Sequence, residues 1–224
     1  MKYQVIIPAR KNSKRLPGKN MKLLGNKPLI QYSIDFALRH FSKDVVWVNT
    51  DDKEIIKYAK TKGINTLLRP ANLALDLTTT VDVLKHQVNH FKEQNIVCDA
   101  IILLQPTNPF RGDNLLKEAI KKFQESGRNS LATFSITEKK LGKIEDRFFK
   151  PTNYFPGQRS QDLEKTYFEN GSLYITKRES ILENKIITDD VYPFVCKNIE
   201  STVDIDYFED FVYAESILKL KENG

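Results

Sequence analysis

The chemistry in this chain is concentrated at its two ends. Arg10, Lys14 and Lys19 stand in one loop directly after the apolar run Val5-Ile6-Ile7, and Asp204 and Asp206 stand two apart near the C-terminus. The three bases suit a polyphosphate, because cationic side chains and the N–H groups of a turn neutralise phosphate oxygens. The alternative is a solvated basic loop, and the position straight after a first strand favours phosphate. The loop is neither a Walker A sequence nor G-x-G-x-x-G, since its only glycine is Gly18. In an extended segment Asp204 and Asp206 project from one face, with Val203 and Ile205 on the other. Two carboxylates on one face repel unless a cation or a proton intervenes. A hard divalent ion, Mg²⁺ or Mn²⁺, resolves this and bridges to phosphates. The competing reading makes Asp206 the cap of a helix starting at Tyr207.

Charge and composition narrow the partners. The chain of 224 residues has 35 Lys and Arg against 29 Asp and Glu, a net of +6. Lys2, Arg10, Lys11, Lys14, Arg15, Lys19, Lys22 and Lys27 all precede the first acid, Asp35, and the remainder is slightly acidic. Charge gathered in one loop without aromatics suits a small anion, whereas nucleic-acid binders spread it over a face. No apolar stretch approaches the ~20 residues of a membrane span, and Arg10 interrupts the first apolar run. The expectation is a cytoplasmic protein that binds neither nucleic acid nor membrane. Cys98 and Cys196 form no C-x-x-C pair and read as small, half-buried residues. His86 and His90 have zinc-motif spacing, but position 87 is Gln and no third ligand is evident, so both read as boundary residues. Gln105 and Arg111 flank the rigid Pro106-Thr107-Asn108-Pro109 turn, which suits either a substrate-holding side chain or a plain connection.

These residues need a frame. Tyr3–Ile7, Val45–Asn49, Asn65–Leu68, Ala100–Leu104 and Leu131–Ser135 read as strands. Helices are expected from Pro28, over Lys53 to Lys62 with Asp51 or Asp52 as cap, over about Val81 to Phe91, and over about Asp113 to Phe123. The alternation predicts an α/β fold, a Rossmann-like, mostly parallel sheet with helices on both faces. Ligands in such sheets sit beyond the carboxyl ends of the strands, where segments 8–20, 50–52, 69–80 and 105–111 fall. Residues 137–170 lack long periodicity and read as an inserted arm. The pattern resumes at Ser172–Thr176, followed by a strand end at Thr202–Asp206 and a helix from Tyr207 to Lys221.

Five blocks in register carry a resemblance. Ile6-Ile7-Pro8-Ala9-Arg10 through Ser13-Lys14-Arg15-Leu16-Pro17-Gly18-Lys19-Asn20 resembles the opening signature of the acylneuraminate cytidylyltransferases, the CMP-sialic acid synthetases. So do Leu68-Arg69-Pro70 with Leu73-Ala74 and Asp76, Leu104 through Arg111, Asn170 through Ile175, and Asp204-Ile205-Asp206. The resemblance implies one nucleotidyltransferase domain over residues 1–224 that joins CTP to a nine-carbon 2-keto sugar acid, releasing pyrophosphate. By matching position it implies that Ala9, Arg10, Ser13, Lys14, Lys19, Asn20, Arg69 and Thr80 bind the nucleotide. Gln105, Asn170, Arg159 and either Lys140 or Lys143 would serve the sugar, and Asp204 and Asp206 the metal. Arg10, Lys19 and the two aspartates would carry catalysis. The arm at 137–170 would form a homodimer and lend cations to the partner's sugar site. Some members place an arginine just before the Asn-Gly pair, whereas this chain reads Tyr167-Phe168-Glu169-Asn170. That departure leaves legionaminic and pseudaminic acids beside sialic acid as sugars. The rival readings are a 3-deoxy-manno-octulosonate cytidylyltransferase and a non-catalytic nucleotide-binding module.

Overall fold

The structure is a computed structural model that describes residues 1–11 and 13–222, with backbone alone at 221 and 222. Its centre is a seven-stranded sheet. In chain order these strands are β1 (Tyr3–Pro8), β4 (Val46–Thr50), β5 (Asn65–Leu68), β6 (Ala100–Leu103), β7 (Ser130–Thr137), β10 (Thr166–Lys177) and β11 (Tyr192–Cys196). Two-residue strands β2 (Leu23–Leu24) and β3 (Lys27–Pro28) make a small hairpin, and β8 (Gly142–Glu145) with β9 (Phe148–Pro151) makes another. The helices are α1 (Leu29–Leu38), α2 (Lys53–Thr61), α3 (Thr80–Glu93), α4 (Leu115–Ser126), α5 (Arg178–Leu182) and α6 (Phe208–Glu222).

The spatial order is β11-β7-β10-β6-β1-β4-β5, and β10 alone runs against the others. From β1 the chain moves outward through β4 to β5, then returns to place β6 on the other side of β1. The direction of winding therefore reverses between β1 and β6, and a crevice opens there at the carboxyl ends. Alternate side chains serve the two faces. Val5, Ile7, Val46, Val48 and Ile102 pack on Ile34, Ala59, Leu116 and Phe123, from α1, α2 and α4. Ile6, Trp47, Ile101, Leu103 and Tyr174 pack on Leu84, Val88 and Phe91 of α3 and Ile181 of α5. Both faces being covered explains why the central strands are continuous apolar runs. A third cluster joins Leu24, Leu29 and Phe110 to Val203, Ile205, Phe211 and Ala214, and so ties the C-terminal segment to the N-terminal loop.

Three expectations change. Residues 203–206 are not a sheet strand, since a 3-10 turn over Ile199–Thr202 leads into an unpaired segment. It is held by the Ile205 N–H donating to the Thr107 carbonyl at 2.8 Å. The two-residue alternation nonetheless holds, with Val203 and Ile205 buried and both aspartates turned outward. The strand expected at Ser172–Thr176 begins at Thr166, so the base of the arm belongs to the β7–β10 ladder. Strand β11 was not expected, because Pro193 lies inside it. It is an edge strand, where a missing N–H is tolerated. Asp52, not Asp51, caps α2 by accepting the Glu54 N–H at 2.8 Å. His90 lies edge-on against Trp47, and both thiols are buried, with burial pushing Cys98 up to about 12. Among the described residues no helix is long and apolar enough to cross a membrane.

Candidate active site

A cavity of ≈ 360 Å³ lies over the β1–β6 crevice. The loop after β1 supplies Arg10, Ser13, Arg15, Lys19 and Asn20 to its wall. Gly18 turns this loop in the left-handed region, at φ 68°, where a side chain would add strain. The turn drives Lys19 inward. Its ammonium is nearly buried and donates to the Ile205 carbonyl at 2.8 Å and to Asp206 Oδ1 at 2.9 Å. Arg15 Nη2 meets Asp206 Oδ2 at 2.7 Å, and the guanidinium carbon lies 5.1 Å from the centre of the Tyr207 ring. Asn20 Nδ2 donates to the Arg10 carbonyl at 3.0 Å, which stiffens the loop.

Two further cations of the loop face Asp76. Arg10 Nη1 stands 3.2 Å from one carboxylate oxygen and Lys14 Nζ 2.9 Å from the other. The Lys14 hydrogen bond, then the charges of Lys14 and Arg10, hold this carboxylate below its usual range. Asp76 thus presents two anionic oxygens to the groups that a phosphate would use. Asp76→Asn is expected to tighten binding of inorganic triphosphate several-fold by removing this competitor, as titration calorimetry would record. Unchanged or weaker binding would show that the carboxylate does not compete.

Asp204 and Asp206 both line the cavity. Their segment is clamped by Asn108, whose Nδ2 donates to Asn170 O at 2.9 Å and to Val203 O at 3.0 Å. Gly171 permits this approach: at φ 74°, an added Cβ would come within 2.7 Å of Asn108 Oδ1. Asp206 is not the helix cap. Asp210 accepts the N–H groups of Asp206 and Tyr207 at 2.9 and 2.8 Å, leaving the Asp206 side chain to the cavity. Withdrawal from water raises the Asp204 carboxyl, a Thr107 hydrogen bond opposes this, and Asp206 pushes it up again. Two oxygen donors under mutual repulsion, in a cavity open to phosphate, are the donor set that Mg²⁺ or Mn²⁺ takes. Among the described residues no group of three such side chains forms a closed metal site.

The opposite wall comes from the segment after β5 and from α3. Arg69 is 6% exposed, and burial lowers its guanidinium to about 10, so it remains a cation at neutral pH. Thr80 opens α3 behind a capping box made by Thr79 and Asp82. Gln105 and Thr107 line the cavity from the turn after β6. Arg111 turns away from it, donating to the carbonyls of Ser172 and Gln105 and to the Ser33 hydroxyl. Ala9 is buried behind the wall, its N–H on the Asn49 carbonyl at 3.0 Å.

The sugar residues fall into three places. Gln105 is in the wall. Asn170 lies inside the fold, with Oδ1 accepting from Thr133 and Ser172 and Nδ2 donating to Ser135. Lys140 and Arg159 lie on the arm, outside the cavity of their own chain. Lys140 donates to the Gln158 carbonyl, and Arg159 makes a forked pair with Asp162 at 2.7 and 3.0 Å. Glu169 accepts the Tyr174 hydroxyl. Arg15 and Asp76 had no assigned role in the sequence, and only their partners across the fold reveal one.

Comparison with known proteins gives the same frame. The cytidylyltransferase family signature matches residues 4–223. The chain is 31% identical over 234 residues to a CMP-N,N'-diacetyllegionaminic acid synthase of Legionella pneumophila, covering 100% of this chain and 99% of that protein. It is 31% identical over 221 residues to an N-acylneuraminate cytidylyltransferase of Streptococcus agalactiae, covering 95% of this chain and 52% of that one. The chain thus spans about half the length of the streptococcal relative. In fold it resembles a CMP:2-keto-3-deoxy-manno-octonic acid synthetase solved with CTP, at a TM-score of 0.70 and 15% identity, covering 99% of this chain and 100% of that one.

Proposed function

The chain belongs to the cytidylyltransferase family, and from that premise we propose that it activates a sialic-acid-like nine-carbon 2-keto sugar acid with CTP. The anomeric hydroxyl attacks the α-phosphorus in line and releases its proton to solvent. A new O–P bond forms, the bond to the β-phosphate breaks, and pyrophosphate leaves. The observation that carries the reading is the Lys19–Asp206 contact, which brings the cationic loop and the carboxylate pair into one crevice. A transfer of this kind depends on positioning and charge neutralisation. Arg10, Lys14 and Lys19 neutralise the triphosphate, with Ser13 beside them. Asn20, Arg69 and Thr80 hold the nucleoside, and Gln105 orients the sugar. Asp204 and Asp206 would hold a divalent ion, which when bound supplies charge to the phosphates.

Pyrophosphate release tests the reading, with CTP, Mg²⁺ and a panel of N-acetylneuraminic, legionaminic, pseudaminic and 3-deoxy-manno-octulosonic acids. Release with a nine-carbon acid is expected. Turnover of the octulosonic acid alone would overturn the choice of sugar, and silence across the panel would favour a nucleotide-binding module. The full-length likeness to the legionaminic acid synthase supports a nine-carbon sugar acid of that general kind.

The arm supports a homodimer. Ile144, Phe148, Phe149 and Phe155 leave apolar surface on it exposed, and a surface of that kind is stable when covered by a partner. A second copy would bring Arg159 to the sugar. Arg159→Ala is expected to raise KM for the sugar about tenfold or more, the usual cost of a lost charge-assisted contact, with CTP affinity unchanged. Loss of CTP affinity instead would remove the arm from the sugar site.

A further inference from the structure

Arg69 is held by residues that do not reach the cavity. Its backbone N–H donates to the Thr50 carbonyl at 2.8 Å, and its side chain folds back over the end of β4. There Nε donates to Asn49 Oδ1 at 3.0 Å and Nη2 to Asn49 O at 2.9 Å. Two acceptors from one residue fix the plane of the guanidinium fork, and its remaining donors are left for the cavity.

The Asn49 amide is itself oriented. Turned by half a rotation it would set Nδ2 against the Arg69 donors. What prevents this is Gln87 of α3, whose Oε1 accepts Asn49 Nδ2 at 3.0 Å. Asn49 and Gln87 are both fully buried. Only one arrangement of the two amides satisfies the chain: Arg69 demands an oxygen from Asn49, which then offers its nitrogen and demands an oxygen from Gln87. Two buried amides joined in this way fix the direction of the guanidinium as well as filling space. The structure also puts Thr80 and Val83 of the same helix in the cavity wall.

We propose that Asn49 and Gln87 are positioning residues for the nucleotide, a buried relay that sets the Arg69 guanidinium against the nucleoside of CTP. This rests on the reading of the cavity as a CTP site. If that holds, the relay acts on the nucleoside end of the ligand and not on the phosphates.

The test measures binding of CTP and of inorganic triphosphate by titration calorimetry, with thermal melts alongside. Gln87→Leu removes the acceptor and keeps an apolar body of similar size. It is expected to weaken CTP about tenfold, the effect of one lost hydrogen bond to a charged site, while inorganic triphosphate binds as in the wild type. Gln87→Glu keeps an oxygen towards Asn49 and is expected to restore CTP binding to within about threefold. In turnover, the leucine variant should raise KM for CTP and leave kcat within about twofold. Asn49→Ala, with the same expected signature, stands in if the leucine variant does not fold. CTP binding equal to wild type in folded Gln87→Leu would overturn the relay. So would equal losses for CTP and triphosphate, or loss in both position-87 variants, since these mark a packing residue. Failure of the wild type to bind CTP would instead overturn the functional reading beneath it.

Discussion

Asp206→Asn is expected to cut turnover by about 10²–10³-fold while leaving the melting temperature close to that of the wild type. The amide keeps the shape of the side chain and removes its charge. In the folded protein that charge lies between Lys19 and Arg15, at 2.9 and 2.7 Å, on the wall of the cavity. Neutralising it takes one of two carboxylates from the proposed cation site and frees two cations. Stability changes little because the effects oppose. Two ion-pair contacts weaken, but the one to half-exposed Arg15 contributes little, Lys19 keeps the Ile205 carbonyl and the amide oxygen as acceptors, and the repulsion on Asp204 is relieved. The α6 N-terminus is unaffected, since Asp210 caps it. Pyrophosphate release and a circular dichroism melt separate the outcomes. Turnover near the wild-type rate would remove Asp206 from the reaction. A large drop in melting temperature would make it a structural residue.

The legible parts of this site share a physical cause. Strand ends could be read because both faces of the sheet are covered, so β1 and β6 are unbroken apolar runs ending at polar turns. The direction of Asp204 and Asp206 could be read because extended backbone alternates whether or not it is paired. The missing ladder at 203–206 therefore did not alter which side chains reach the cavity. Other features depend on contacts across the fold. Arg15 finds Asp206 only because the third apolar cluster draws the C-terminal segment onto the first loop, and Asp76 finds Arg10 and Lys14 only because the connection between β5 and α3 lies beside that loop at the same end of the sheet. Asn49 and Gln87 carry no local pattern, since a polar residue in the middle of a strand or helix acquires meaning from what it faces. Strand β11 was hidden because Pro193 argues against pairing anywhere but at an edge, and edges are set by the whole sheet.

Arg111 has the same history with the opposite result, and its removal should have the largest effect on stability. Beside the turn after β6, its charge and position suit a substrate contact. The structure turns it inward, onto three acceptors in different directions: Ser172 O at 2.6 Å, the Ser33 hydroxyl at 3.0 Å and Gln105 O at 2.7 Å. Its guanidinium carbon also lies 5.5 Å over the Phe36 ring. Burial pulls its ionisation down to about 9, which still leaves it charged at neutral pH. Arg111→Met keeps apolar volume but strands three polar groups away from water. Each costs about 1–3 kcal/mol, partly offset because a charge no longer has to be buried. A net loss of about 3 kcal/mol is expected in urea unfolding. Arg111→Lys should fall between, because one ammonium cannot serve three divergent acceptors. The Gln105 carbonyl is one of those acceptors, so the damage should reach the cavity as a raised KM for the sugar, with a smaller change for CTP. If Arg111 instead touched substrate, the methionine variant would lose turnover at unchanged stability. Its buried, three-way anchorage between β10, α1 and the turn after β6 predicts the reverse.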